Sequence, residues 1–220
     1  MKAGVKYKLE KDSLDGLTIA IKGIGKVGYQ LANYVLEDGA KLIVADKSDS
    51  KIEFINELQK KYPFKIEITS HEEIHKKEVD VYSPCAMGND IRISRISEMN
   101  CKIICGAANN QLDIVDSAIA KQQLLDHKIL YVPDTIANAG GVFRSAGAIL
   151  KSRNEQESFQ LIETIYDRTL NILDTASEHR VSPADICTEI GQAITGKSNR
   201  FKMEVSGLTG VKAGNNTYKI

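Results

Sequence analysis

The sequence predicts an α/β fold, a doubly wound and mostly parallel sheet with C-terminal helices, on three observations. Short apolar, β-prone runs recur between residues 17 and 132, with helical stretches between them. One of these runs, Leu42 to Ala45, is apolar throughout, as a strand covered on both faces must be. After "ANAGGV" (137–142) no further strand signal occurs and the remaining pattern is helical. Strands alternating with helices imply βαβ units and therefore parallel neighbours.

In chain order, residues 17–22, "LTIAIK", form the first expected strand. The helix "KVGYQLANYVLED" follows, with Val27, Leu31, Tyr34 and Val35 at helical spacing and Gly39 to end it. After the strand at 42–45, a helix is expected from about Lys51 to Lys60 and a weaker strand at 65–69, "KIEIT". Further strands are expected at "VDVYS" (79–83), "KIICG" (102–106) and "KILYV" (128–132). Beyond them, Phe159, Ile162, Tyr166, Thr169, Leu173 and Ala176 recur at steps of three and four, which predicts one long amphipathic helix. A last helix has Ser182 as N-cap, Pro183 in its first turn and Gly196 as its stop. The glycine- and asparagine-rich end, "SGLTGVKAGNNTYKI", is expected to be loose. The implied organisation is a leading helix at 1–16, an α/β domain at 17–150, packing helices at 151–197 and a tail at 198–220.

Composition narrows the function. Among 220 residues, 29 basic side chains balance 29 acidic ones, which argues against a nucleic-acid or anionic-membrane surface. No run approaches the roughly 18 apolar residues of a membrane span, and residues 1–16 lack the apolar core of a secretory leader. A cytoplasmic chain is expected. The four cysteines, Cys85, Cys101, Cys105 and Cys187, form no CxxC pair. Cys101 and Cys105 are spaced to share one strand face, and both are read as buried, reduced thiols.

Gly23, Gly25 and Gly28 spell G-x-G-x-x-G between the first strand and its helix. Gly23 permits the turn out of the strand, Gly25 leaves the backbone open to a pyrophosphate, and Gly28 lets helix and strand pack closely. The helix N-terminus then presents amides and a favourable dipole to the phosphates. Asp46 ends the second strand, where a carboxylate accepts the ribose hydroxyls of an adenosine and repels a 2′-phosphate. This Rossmann-type pattern favours NAD over NADP, a preference that Lys47 and Ser48 would soften.

"HEEIH" (71–75) matches the zinc-peptidase pattern H-E-x-x-H, but it follows a weak strand and has no third ligand in a convincing position. It is read as a solvated helix start, and His127 and His179 as surface residues. Three loops follow three strands: "PCAMGNDI" (84–91), "GAANNQL" (106–112) and "PDTIANAGGV" (133–142). In a doubly wound sheet these loops border the ligand. Their small residues admit a flat ring, and Asn109, Asn110 and Asn138 carry both donors and acceptors for a carboxamide, a ribose or a carboxylate.

In order and spacing, these motifs resemble the cofactor domain of the glutamate/leucine/phenylalanine/valine dehydrogenase family, most of all its leucine-type members. The resemblance covers about residues 1 to 190. It implies NAD-dependent, reversible oxidative deamination of an L-amino acid, with branched-chain substrates. It puts Gly23, Gly25, Lys26 and Val27 at the pyrophosphate, Gly28 in the turn, and Asp46 at the adenosine ribose. Cys85, Ala86 and Met87 would line the nicotinamide side. Ala108 and Asn109, with Asn110, would contact the nicotinamide ribose or carboxamide, and Asn138 would hold the substrate carboxylate. Asn89 departs from the pattern, standing where the family has a small residue. The family's catalytic lysines and aspartate belong to an N-terminal substrate domain that residues 1–16 resemble only at its exit helix. No catalytic residue is therefore assigned here; the alternative is a non-catalytic NAD-binding module. A homo-oligomer is compatible with either.

Overall fold

The computed structural model describes residues 1–48, 51–149 and 154–196. Its centre is a six-stranded sheet in the order β3-β2-β1-β4-β5-β6, every neighbouring pair parallel. The strands are β1 (Thr18–Lys22), β2 (Lys41–Ala45), β3 (Ile66–Ile68), β4 (Val79–Pro84), β5 (Cys101–Ile104) and β6 (Leu130–Tyr131). This is the doubly wound order, with the reversal of winding between β1 and β4.

Alternation along the inner strands sends side chains to two cores. Ile19, Ile21, Leu42 and Val44 join one cluster; Ala20, Ile43 and Ala45 join the other. The first core is covered by α2 (Lys26–Glu37) through Ala32, Val35 and Leu36, and by α3 (Ile52–Lys61) through Ile55 and Leu58. The second is covered by α4 (Ile93–Ile96) through Ile96 and by α5 (Ser117–Asp126) through Ala120 and Leu124. Each fully buried isoleucine or leucine contributes about 1.5–3 kcal/mol of transfer free energy.

Residues 1–16 pack against the domain. In α1 (Lys2–Leu9), Ala3, Gly4 and Val5 are buried, and a Cβ on Gly4 would meet Val132 at 2.8 Å. After β6 come α6 (Asp134–Ala137) and α7 (Ala139–Ile149). The expected single long helix is two, α8 (Glu155–Glu163) and α9 (Ile165–His179). They meet at Thr164, whose hydroxyl donates to the Leu161 carbonyl (2.7 Å) and accepts from Arg168 Nε (2.7 Å). The apolar period continues across this joint, so period alone did not reveal it. Asn154 and Glu157 form a capping box on α8. Ser182 caps α10 (Pro183–Ile194) with Pro183 in its first turn, and Gly196 follows at φ 69°, as the sequence predicts. The expected tail at 198–220 lies outside the described residues. Among the described residues no helix is long and apolar enough to cross a membrane.

Two local expectations are corrected, and one helix face is defined. Cys101 and Cys105 pack with opposite cores rather than on one strand face, because they sit at and beyond the two ends of β5, where strict alternation no longer governs. "HEEIH" is no helix start: a turn leads into a short 3-10 helix at Ile74–Lys76, and His75 is buried, with Nε2 3.1 Å from Glu98 Oε2. On α2, Val27 and Tyr34 are exposed, and the buried face is Gly28, Ala32, Val35 and Leu36.

Candidate functional site

The carboxyl ends of the strands carry two cavities, each of about 650 Å³. The first lies over β1, β2 and β3 and is lined by Gly23, Asp46, Lys47, His71, Glu72, Ala86 and Met87, with Lys22 and Asp90 among its other residues. The second lies over β5 and β6 and is lined by Val27, Leu31, Tyr34, Ala107, Asn109 and Asn138, with Ile162 and Ile165 opposite. The N-terminus of α2 stands at the winding reversal, where doubly wound sheets take their ligands.

The glycine turn has the geometry its sequence requires. Gly23 has φ 101°, and a Cβ there would meet the Ala86 amide nitrogen at 2.7 Å. A Cβ on Gly28 would run into the Gly23 carbonyl oxygen. By contrast, a Cβ on Gly25 would meet nothing within 4 Å. Gly25 therefore faces open space in front of the first turn of α2, whose amides have no partner within the helix. Lys26 and Val27 are the exposed first residues of that turn.

Asp46 does two things. It faces the first cavity, and its carboxylate accepts from the Ile24 amide (2.7 Å) and the Ser48 amide (2.9 Å). The acid at the end of β2 thus braces the middle of the glycine turn while keeping lone pairs for a further donor.

The loop after β4 divides between two places. Ala86 and Met87 line the Asp46 cavity, not the second one, and Cys85 lies behind the glycine turn, where a Cβ on Gly28 would sit 3.4 Å from its own. Burial pushes the Cys85 thiol up from its ordinary value. The chain turns back after Pro84 toward Gly23, which sequence order alone does not reveal. Asn89 takes the left-handed conformation (φ 58°), which asparagine tolerates well. It donates its amide to the Asn110 carbonyl (2.7 Å) and accepts from the Ile114 amide (3.1 Å), so it ties two loops together.

In the second cavity, Asn138 Nδ2 donates to the Ala107 carbonyl (3.3 Å) and to Asn109 Oδ1 (2.6 Å). Both side-chain donors of Asn138 thus face protein acceptors. Ala108 is buried, and Asn110 (φ 51°) gives its amide to Asp134 Oδ2 (2.7 Å). These two shape the loop that presents Asn109.

Several further residues belong to the site. Gln111 is fully buried and donates to the Gly106 and Ala108 carbonyls at 2.9 and 2.8 Å. Asp134 accepts from the Tyr131 hydroxyl (2.8 Å) as well as from Asn110. Lys22 is 2% exposed, and its ammonium lies 2.6 Å from Asp90, which also accepts from the Tyr82 hydroxyl (2.5 Å) and Arg95 (3.3 Å). Burial and the Asp90 charge push the Tyr82 phenol well up. The available signal was a lysine inside the apolar strand "TIAIK". Among the described residues no group of three His, Cys, Asp or Glu side chains is placed to hold a metal ion, and His71 and His75 turn to different carboxylates.

The family described as glutamate/leucine/phenylalanine/valine dehydrogenase matches residues 3–193. The L-tryptophan dehydrogenase of Nostoc punctiforme is 33% identical over 202 residues, which are 92% of this chain and 55% of the relative. The leucine dehydrogenase of Thermoactinomyces intermedius is 35% identical over 177 residues, 80% of this chain and 46% of the relative. Among solved structures, the crystal structure of the Nostoc L-tryptophan dehydrogenase matches with a TM-score of 0.79 at 31% identity, over 90% of this chain and 57% of that one. The chain spans about half the length of the curated relatives it matches.

Proposed function

The chain belongs to the glutamate/leucine/phenylalanine/valine dehydrogenase family, and from that premise we propose that it is the NAD-binding part of an amino-acid dehydrogenase. The observation that supports this most is the open space over Gly25, framed by the α2 amides on one side and Asp46 on the other. In this reading the pyrophosphate lies against the first turn of α2, between the two cavities. The adenosine lies in the Asp46 cavity and the nicotinamide in the Asn109–Asn138 cavity. Asp46 accepts from the adenosine ribose, and its charge favours NAD over NADP.

The bound dinucleotide supplies a site that takes up and returns a hydride. The chain's own residues supply position. Asn109 and Asn138 orient the carboxamide, while Val27, Leu31, Val142, Ile162 and Ile165 keep water from that cavity. The substrate is an L-amino acid converted reversibly to a 2-oxo acid and ammonia. The relatives' names span indole and branched aliphatic side chains. A leucine-type substrate is our choice within that range, from the motif resemblance. The proton-transfer lysines are assigned to a substrate-binding domain outside residues 17–150. Assembly into a homo-oligomer and a cytoplasmic location complete the proposal.

Calorimetric titration of the chain with NAD and with NADP tests it. Micromolar binding of NAD, at least tenfold weaker binding of NADP, and loss of that discrimination in Asp46→Asn are expected. Absence of NAD binding to the folded chain refutes it.

A further inference from the structure

The first cavity continues past Asp46 to an edge built from charged side chains. Glu72 Oε2 lies 3.4 Å from Arg95 Nη2, and Glu72 Oε1 lies 3.4 Å from His71 Nδ1. Arg95 is anchored from below on Asp90, which is held in turn by buried Lys22 and by Tyr82. Both contacts to Glu72 are long, and its side chain is 67% exposed, so its carboxylate retains acceptor capacity toward the cavity. An exposed ion pair alone contributes little to stability. This one has a foundation that an ordinary surface pair lacks: a lysine with 2% side-chain exposure, paired beneath the cavity floor. Burying such a pair is costly, so its position under a ligand cavity calls for a use.

The edge alternates acceptor and donor: carboxylate at Glu72, guanidinium at Arg95. A 6-aminopurine presents the complement, an amino donor flanked by ring-nitrogen acceptors. A 6-oxopurine presents an acceptor where the carboxylate needs a donor.

We propose that Glu72, held by Arg95 and His71, reads the 6-amino group of the adenine and makes the chain selective for adenine over 6-oxopurine dinucleotides. This rests on the cofactor reading above and assigns a role to "HEEIH" that metal binding does not.

The test is calorimetry on the full chain with NAD and with nicotinamide hypoxanthine dinucleotide, for wild type, Glu72→Leu and Glu72→Lys. Because Glu72 is exposed, thermal melts of both variants should match wild type. Wild type should prefer NAD by about tenfold, the difference one charge-assisted hydrogen bond makes. The preference should vanish in Glu72→Leu through weaker NAD binding, and reverse in Glu72→Lys. A wild-type preference below twofold, or one that Glu72→Leu leaves intact, overturns the proposal while NAD binding upholds the cofactor reading. Failure of wild type to bind either dinucleotide overturns both.

Discussion

Alanine at Gly25 and alanine at Gly28 should have opposite consequences, although only two residues separate them. At Gly25 the backbone is extended (φ −78°, ψ −167°), a conformation any residue adopts, and the added methyl meets nothing within 4 Å. Stability should stay within about 0.5 kcal/mol of wild type, or rise slightly because the unfolded chain loses freedom. The methyl nevertheless occupies the space through which a pyrophosphate would approach the α2 amides, and NAD affinity should fall by about tenfold or more, the loss of one or two charge-assisted hydrogen bonds. At Gly28 the methyl collides with the Gly23 carbonyl oxygen and lies 3.1 Å from the Gly23 carbonyl carbon. Its opponent is backbone inside a turn already pinned by the Gly23 amide on Ala45 (2.7 Å) and the Ile24 amide on Asp46. The turn has to move by about 1 Å, and overpacking of that kind costs about 3 kcal/mol. For a chain of this length, Tm should drop by roughly 6–12 °C. Urea denaturation and calorimetry on the two variants separate the effects. A folded Gly25→Ala chain that binds NAD like wild type would show that no phosphate passes that position. A Gly28→Ala chain as stable as wild type would refute the close approach of helix and turn.

Three further outcomes are expected. Lys22→Met leaves Asp90 without its ammonium and should cost about 3 kcal/mol in urea denaturation, with more than half recovered in Lys22→Met/Asp90→Asn; a cost under 0.5 kcal/mol would contradict the buried pairing. Burial pushes Cys101 up to about 12 and Cys187 up to about 11, so the folded chain holds these protons after the unfolded chain has lost them. That stability is complete below about pH 9 and fades as pH rises toward 11–12, by about 1 kcal/mol per thiol at pH 10; Cys101→Ala/Cys187→Ala should flatten the slope between pH 8 and pH 10. Asn138→Asp sets a carboxylate against the Ala107 carbonyl and Asn109 Oδ1, and should lower stability by about 2 kcal/mol at pH 8, with part regained at pH 4 on protonation; equal melts at both pH values would remove the paired-amide geometry.

The parts of the fold that were legible in the sequence are those set by local chemistry. The run from β1 through the glycine turn and α2 to Asp46 is specified by residues within about 30 positions of one another, and its periods, its turn glycines and its terminal acid all agree. The Ser182–Pro183 start of α10 is local in the same way. What escaped depends on how distant loops fold back. Ala86 and Met87 belong with Asp46 because the chain returns over Gly23. His75 is buried and finds its partner in Glu98, 23 residues later. Helical spacing groups Val27 and Tyr34 with Leu31 and Val35 without saying what lies opposite, and here Val27, Leu31 and Tyr34 border the second cavity. Lys22 carried the strongest unheeded signal: a cation inside a parallel strand has to find a buried partner.

Asp46 has a consequence for anyone redesigning this chain toward the phosphorylated dinucleotide. Exchanging it for a small neutral residue, the usual first step, also removes the acceptor of the Ile24 amide and slackens the loop that must seat the phosphates. Under the proposed cofactor reading, preference and grip would be coupled through one side chain. A successful swap has to restore the lost brace, for instance with a serine hydroxyl reaching Ile24, in the same round that it adds a cation for the extra phosphate.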